Sequence, residues 1–141
     1  MRREYAAKGL QMRIAIIGGT GFGDGFGEGS AEVIETKYGS AQIIRHVMEQ
    51  DLEIVFIARH GPGHRLPPHL INHRANVAAI SDVGAAAVFA TAAVGSLQAH
   101  IAPGDFVVLD DFIDLTKGEI ITFFDQPDNV RHTDFSPDWN P

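Results

Sequence analysis

Three stretches of this 141-residue sequence combine residue types that suit the capture of a small anion. The first is Gly18-Gly19-Thr20-Gly21, where a short apolar run gives way to glycines whose backbone amides can form an anion-binding nest beside the Thr20 hydroxyl. The second is Arg59-His60, after another apolar run. Arginine offers a fixed fork of donors that fits a phosphate, and histidine adds a donor whose charge changes near neutral pH. The third, residues 91–96, is small (Thr-Ala-Ala-Val-Gly-Ser), so a ligand can lie against its backbone. Each has an ordinary alternative: a plain turn, a surface arginine beside a half-buried histidine, and close packing. Three such stretches, each at the end of a strand-like run, point together to one site.

Other chemistries fit less well. No register of the glycine-rich residues 18–30 places a third glycine where a dinucleotide fingerprint needs it, and no Gly-Lys-Ser/Thr follows. His60/His64 and His69/His73 are spaced by four, which on a helix would align each pair for a metal. However, Gly61, Pro62, Gly63, Pro67 and Pro68 forbid a helix through the first pair, and residues 54–81 contain no carboxylate. No metal site is expected. Asp105, Asp110, Asp111 and Asp114 read as strand-end and turn residues rather than as paired catalytic carboxylates.

Composition narrows the classes further. Hydrophobic residues make up 45% of the chain and charged residues 21%, ordinary for a folded domain. The net charge of -7 argues against nucleic acid as a partner. It does not argue against a small anion, because local donors dominate within a Debye length of roughly 8–10 Å. Cysteine is absent, so no disulfide or thiolate site exists. No run approaches the roughly 20 apolar residues of a membrane span, and the opening segment lacks the apolar run of a signal peptide. The expectation is a cytoplasmic protein without membrane contact.

The elements that must position these residues follow from patterning. Residues 13–17 (RIAII) are too short and too β-branched for a helix and read as a buried strand. Residues 31–37, 41–48 and 53–58 are β-rich runs separated by turn signals, the pattern of an antiparallel meander. Residues 72–83 carry helical spacing with Gly84 just beyond as a stop. Residues 85–91 and 105–110 read as two further buried strands. The class is therefore α/β or α+β with a mixed sheet. Residues 1–12 are set apart as a disordered extension, and 13–141 as part of a single domain. After Asp114 the pattern fades, and the ending at Pro141 reads as truncated.

Five blocks in order then carry a resemblance: IAIIGGTGF, FIARHGPGHRLPPHLINHRAN, ATAAVGSL, PGDFVVLDDFID and RHTDFS. Together they resemble the 5′-methylthioadenosine phosphorylase group of the purine nucleoside phosphorylase family, N-terminal half only. The resemblance implies an α/β fold with a mixed sheet and flanking helices, truncated before the C-terminal half. It implies a homotrimer that carries out reversible phosphorolysis of a purine nucleoside, with inorganic phosphate as co-substrate and no metal or organic cofactor. Within such a site Thr20, Arg59 and His60 hold phosphate with the backbone of Ala92 and Ala93. Ala93, Val94 and Gly95 lie beside the sugar and base, and His132 reaches the sugar of a neighbouring subunit's site. Ala92 stands where several members have a second phosphate-binding threonine, so only backbone contact is implied there. The methionine beneath the ribose and the acidic residues that recognise the purine belong to the family's other half, and no catalytic residue is assigned in this one. The rival substrates are methylthioinosine and inosine or guanosine. From a different class, the rivals are a non-catalytic anion-binding or oligomerisation module and an inactive, truncated fragment.

Overall fold

A computed structural model describes residues 12–19, 22, 29–48, 52–115 and 122–131. The chain divides into two compact units, Met1–Ala93 and Val94–Pro141. Thr20 and His132 lie outside the described residues, as do residues 1–11 of the expected extension. Its last residue, Met12, opens the first strand.

The first unit is a five-stranded mixed sheet. Its strands are β1 (Met12–Gly18), β2 (Ser30–Thr36), β3 (Gly39–Val47), β4 (Leu52–Ala58) and β5 (Ala87–Ala90), in spatial order β2-β3-β4-β1-β5. The expected meander is present. β2 and β3 pair antiparallel through a tight turn at Lys37 and Tyr38, and β3 pairs antiparallel with β4, Ile44 opposite Phe56. In that turn the Thr36 hydroxyl donates to the Gly39 carbonyl (2.7 Å), and Gly39 takes a φ of 113° that a side chain would strain. β1 runs parallel to both neighbours, Ile14 opposite Ile54 of β4 and Ile16 opposite Phe89 of β5.

Between β4 and β5 lies the helix α1 (His73–Asp82). Asn72 starts it: its Oδ1 accepts from the Ala75 amide at 3.0 Å, satisfying a donor the first turn leaves over. Its Nδ2 donates to the Tyr38 carbonyl at 2.7 Å and so pins the helix to the β2–β3 turn. Gly84, at φ 72°, ends the helix as expected. The helix proper is one residue shorter at each end than the 72–83 pattern, because Asn72 and Val83 are its caps. Its face of Ala75 and Ala79 lets it settle close on Ala41 of β3. Ile80 and Val83 meet Ala15, Ile43, Val55 and Ile57 to form the core. On the sheet's other face Phe56 stacks against Phe22, ring centroids 6.4 Å apart.

An ion network crosses the strands. Glu53, buried on β4, accepts from Arg13 of β1 and lies 3.3 Å from Arg45 of β3, and Arg45 also donates to Glu32 of β2 at 2.7 Å. Arg13 also donates to the Val83 carbonyl at 2.7 Å, at the end of α1. The hydrogen bond to Glu32, with further help from Glu53, raises the Arg45 pKa above its ordinary value despite partial desolvation.

Two strand expectations need correction. The run at 85–91 is a strand over Ala87–Ala90 alone, and it is not buried: Val88 and Phe89 are 51% and 59% exposed. It is the edge of the described sheet, paired on one side by β1, with no strand on the other among the described residues. In the second unit, residues 105–110 form no strand, and Phe106 and Val108 are 90% and 94% exposed. A strand needs a facing row of backbone donors and acceptors, and none pairs with this run among the described residues. Asp105 serves a turn instead, accepting from the Ala102 amide at 2.8 Å.

Candidate anion site at the carboxyl end of the sheet

Parallel pairing puts the carboxyl ends of β4, β1 and β5 side by side, so residues that follow these strands emerge at one edge. Open α/β sheets bind ligands at such edges, because the chain leaves the strands there with free amides and diverging loops. The strand ends are tied together by backbone bonds: the Arg59 amide donates to the Gly18 carbonyl (2.9 Å), and the Thr91 amide to the Ile17 carbonyl (3.0 Å). The Gly19 amide donates to the Thr91 hydroxyl at 3.3 Å, joining the β1 and β5 ends through a side chain.

Both glycines are required by close approach. A Cβ at Gly18 would lie 2.6 Å from the Phe56 ring. One at Gly19 would collide with the Arg59 guanidinium and stand 2.8 Å from the Thr91 carbonyl. The guanidinium therefore lies across bare backbone.

His60 is oriented by the loop that follows. The Leu66 amide donates to the His60 carbonyl (2.8 Å), and His60 Nδ1 lies 2.9 Å from the Leu66 carbonyl. A carbonyl only accepts, so Nδ1 is the donor in this bond, and Nε2 is the ring nitrogen left for another partner. Within this loop Gly61, Gly63 and His64 all take positive φ, and the His64 ring stacks on His60 with centroids 4.2 Å apart. The expectation that Gly and Pro prevent a helix here holds, since residues Pro62–His64 form a 3-10 turn. The turn nevertheless brings the two rings together, which the spacing argument did not anticipate.

Gly18, Gly19, Ala58, Arg59, His60 and His64 line a cavity of about 130 Å³, with Gly61 and Gly63 completing its wall. That is well below the roughly 300 Å³ at which drug-sized pockets begin, so it suits a small ion. No carboxylate is among these lining residues. The structure thus unites two of the three anticipated stretches, Gly18-Gly19 and Arg59-His60, in one cavity. The third contributes Thr91, which buttresses Gly19. Ala92 and Ala93 follow as exposed residues that do not line the cavity. Val94 and Gly95, also exposed, open the second unit. Sequence reasoning missed His64 and the Thr91 hydroxyl; the His60/His64 spacing was the available signal for the first. Among the described residues, no three His, Cys, Asp or Glu side chains cluster as a metal site would require, and no helix is long and apolar enough to cross a membrane.

Comparison with known proteins identifies the family and the fold. Residues 13–140 match the family model described as the phosphorylase superfamily. The 6-oxopurine nucleoside phosphorylase of Pyrococcus furiosus is 43% identical over 136 residues, covering 92% of this chain and 51% of the relative. The S-methyl-5′-thioadenosine phosphorylase of Hyperthermus butylicus is 47% identical over 118 residues, covering 80% and 42%. Among solved structures, methylthioadenosine phosphorylase from Schistosoma mansoni in complex with adenine superposes with a TM-score of 0.74 at 37% identity, over 86% of this chain and 45% of that one. The mixed sheet is that of the nucleoside phosphorylases, and the chain spans about half the length of the curated relatives it matches. On its sequence and on its fold, this chain belongs to the phosphorylase superfamily.

Proposed function

We propose that this chain supplies the phosphate-holding half of a nucleoside phosphorylase that cleaves 5′-methylthioadenosine or methylthioinosine. The products are the free purine and 5-methylthioribose 1-phosphate. The observation that carries this reading is the small carboxylate-free cavity where Arg59, His60 and the Gly18-Gly19 backbone meet. Thr20 adds a hydroxyl to the same anion, and the Ala92 and Ala93 backbone, next in the chain to Thr91 though outside the cavity wall, a further contact. Ala93, Val94 and Gly95 flank the sugar and base, and His132 reaches across to a neighbouring subunit of a cytoplasmic homotrimer. Inorganic phosphate is the co-substrate, with no metal or organic cofactor.

In the reaction the glycosidic C–N bond breaks as phosphate oxygen bonds to the sugar carbon, and the electron pair leaves with the purine, which takes up a proton. Positive charge develops on the sugar, and an anionic phosphate held beneath it both stabilises that charge and attacks. The residues of this half fix the nucleophile. Positioning alone contributes up to about 7–11 kcal/mol in intramolecular models. Arg59 orients the oxygens through its planar fork, and His60, tied to Leu66, keeps one ring nitrogen for the anion.

A second reading has its own support: the Pyrococcus furiosus relative, matched over 92% of this chain, is a 6-oxopurine nucleoside phosphorylase. This makes inosine and guanosine the rival substrates. An assay of purified protein with methylthioadenosine, methylthioinosine, inosine and guanosine, with and without phosphate and with its mass measured in solution, separates the two. Phosphate-dependent cleavage of a methylthio-nucleoside by a trimer supports the first reading, and cleavage of inosine or guanosine alone supports the second. A folded protein that neither cleaves any of them nor binds phosphate is a different kind of module.

A further inference from the structure

We propose that His64 is a second imidazole of the anion site, touching the same phosphate as Arg59 and His60. This rests on the phosphate reading above and adds to it a residue to which that reading gave no role.

Three observations support it. His64 sits in left-handed backbone at φ 58°, a conformation that glycine adopts without strain and that a side chain resists. Its neighbours in the loop, Gly61 and Gly63, take similar φ values with glycine. The loop thus holds an imidazole where glycine would be the less strained residue. Secondly, that ring does not point into solvent alone: it stacks on His60 at 4.2 Å and 30°, and both rings form the wall of one cavity with Arg59. Thirdly, the loop is closed at its base by two bonds between His60 and Leu66, so the ring pair is held by backbone rather than by chance packing. Stacked imidazoles beside a guanidinium repel one another when protonated, and an anion in the cavity removes that repulsion by accepting hydrogen bonds from all three.

Inorganic phosphate added to the 15N-labelled protein, followed through the imidazole nitrogen resonances, tests this. The expected result is that His60 and His64 ring signals shift together and saturate at the same phosphate concentration. Movement of His60 alone overturns the role of His64 and leaves the phosphate site standing. Movement of neither overturns both. A second measurement uses His64→Gly, which suits the left-handed backbone and should keep or raise the melting temperature. Its phosphate affinity should fall roughly tenfold or more, the weight of one charge-assisted hydrogen bond. Unchanged affinity in that variant, with Arg59→Ala abolishing binding, also overturns the proposal. Should the variant fail to fold, the ring shifts of the unaltered protein decide.

Discussion

The guanidinium of Arg59 occupies the space that a side chain at Gly19 would need, so the side chain that follows β4 reaches across the bare backbone that follows β1. The position of the cation thus depends on a missing Cβ just past the end of a neighbouring strand.

Replacing that glycine tests the relationship. In Gly19→Ala the new methyl meets both the guanidinium and the Thr91 carbonyl, and the carbonyl, being backbone, yields least. Arg59 should move out, and phosphate affinity should drop by about tenfold, roughly 1.4 kcal/mol. Calorimetric titration with phosphate measures this, and an affinity equal to that of the unaltered protein would falsify the placement of Arg59.

A charge-preserving change at the arginine separates geometry from electrostatics. Arg59→Lys keeps the positive charge but loses the planar fork, which matters only if two oxygens are gripped at once. The expected outcome is phosphate binding weakened by about an order of magnitude at unchanged melting temperature. Full retention of affinity would mean that Arg59 acts as a distant charge.

The ion network yields a prediction about stability without one about binding. Glu53→Gln leaves two arginines facing a buried neutral group, and breaking a buried pair costs about 3–5 kcal/mol. Arg13 keeps 37% of its side-chain surface exposed, so a loss of about 1–3 kcal/mol is expected. Urea unfolding reads this directly, and a change below a few tenths would show that the network contributes nothing net.

Asn72 has two duties, capping α1 and holding the Tyr38 carbonyl. Asn72→Ala should therefore cost more than the usual cap, about 1–2 kcal/mol. Asn72→Asp keeps the cap acceptor and loses the donor to Tyr38, so it should fall between the two. If alanine and aspartate are equally destabilising, the bond to Tyr38 is the one that counts.

Local pattern was enough for β1 to β4 and for α1, because their apolar periods, turn residues and caps lie within a few positions of one another. It was enough also to select Gly18-Gly19 and Arg59-His60, since both stand where an apolar run stops. It overstated residues 85–91 and failed at 105–110. Burial of a strand depends on what covers it and what pairs with it, and β-branched residues such as Val107 and Val108 carry no record of whether a partner strand is present.

By itself, then, the sequence determined the element types, the glycines that allow close approach, and the donor chemistry of the site. Tertiary structure decided which donors meet. Parallel pairing of β4, β1 and β5 brings positions 19, 59 and 91 to one edge, although they are far apart in the chain. The His60–Leu66 bonds and the left-handed turn place His64 on His60, a contact that spacing alone does not fix once a helix through the pair is excluded. The reason is physical: spacing along a chain fixes direction only within a regular element, and at the ends of strands direction is set by neighbouring strands and by the hydrogen bonds that close each loop.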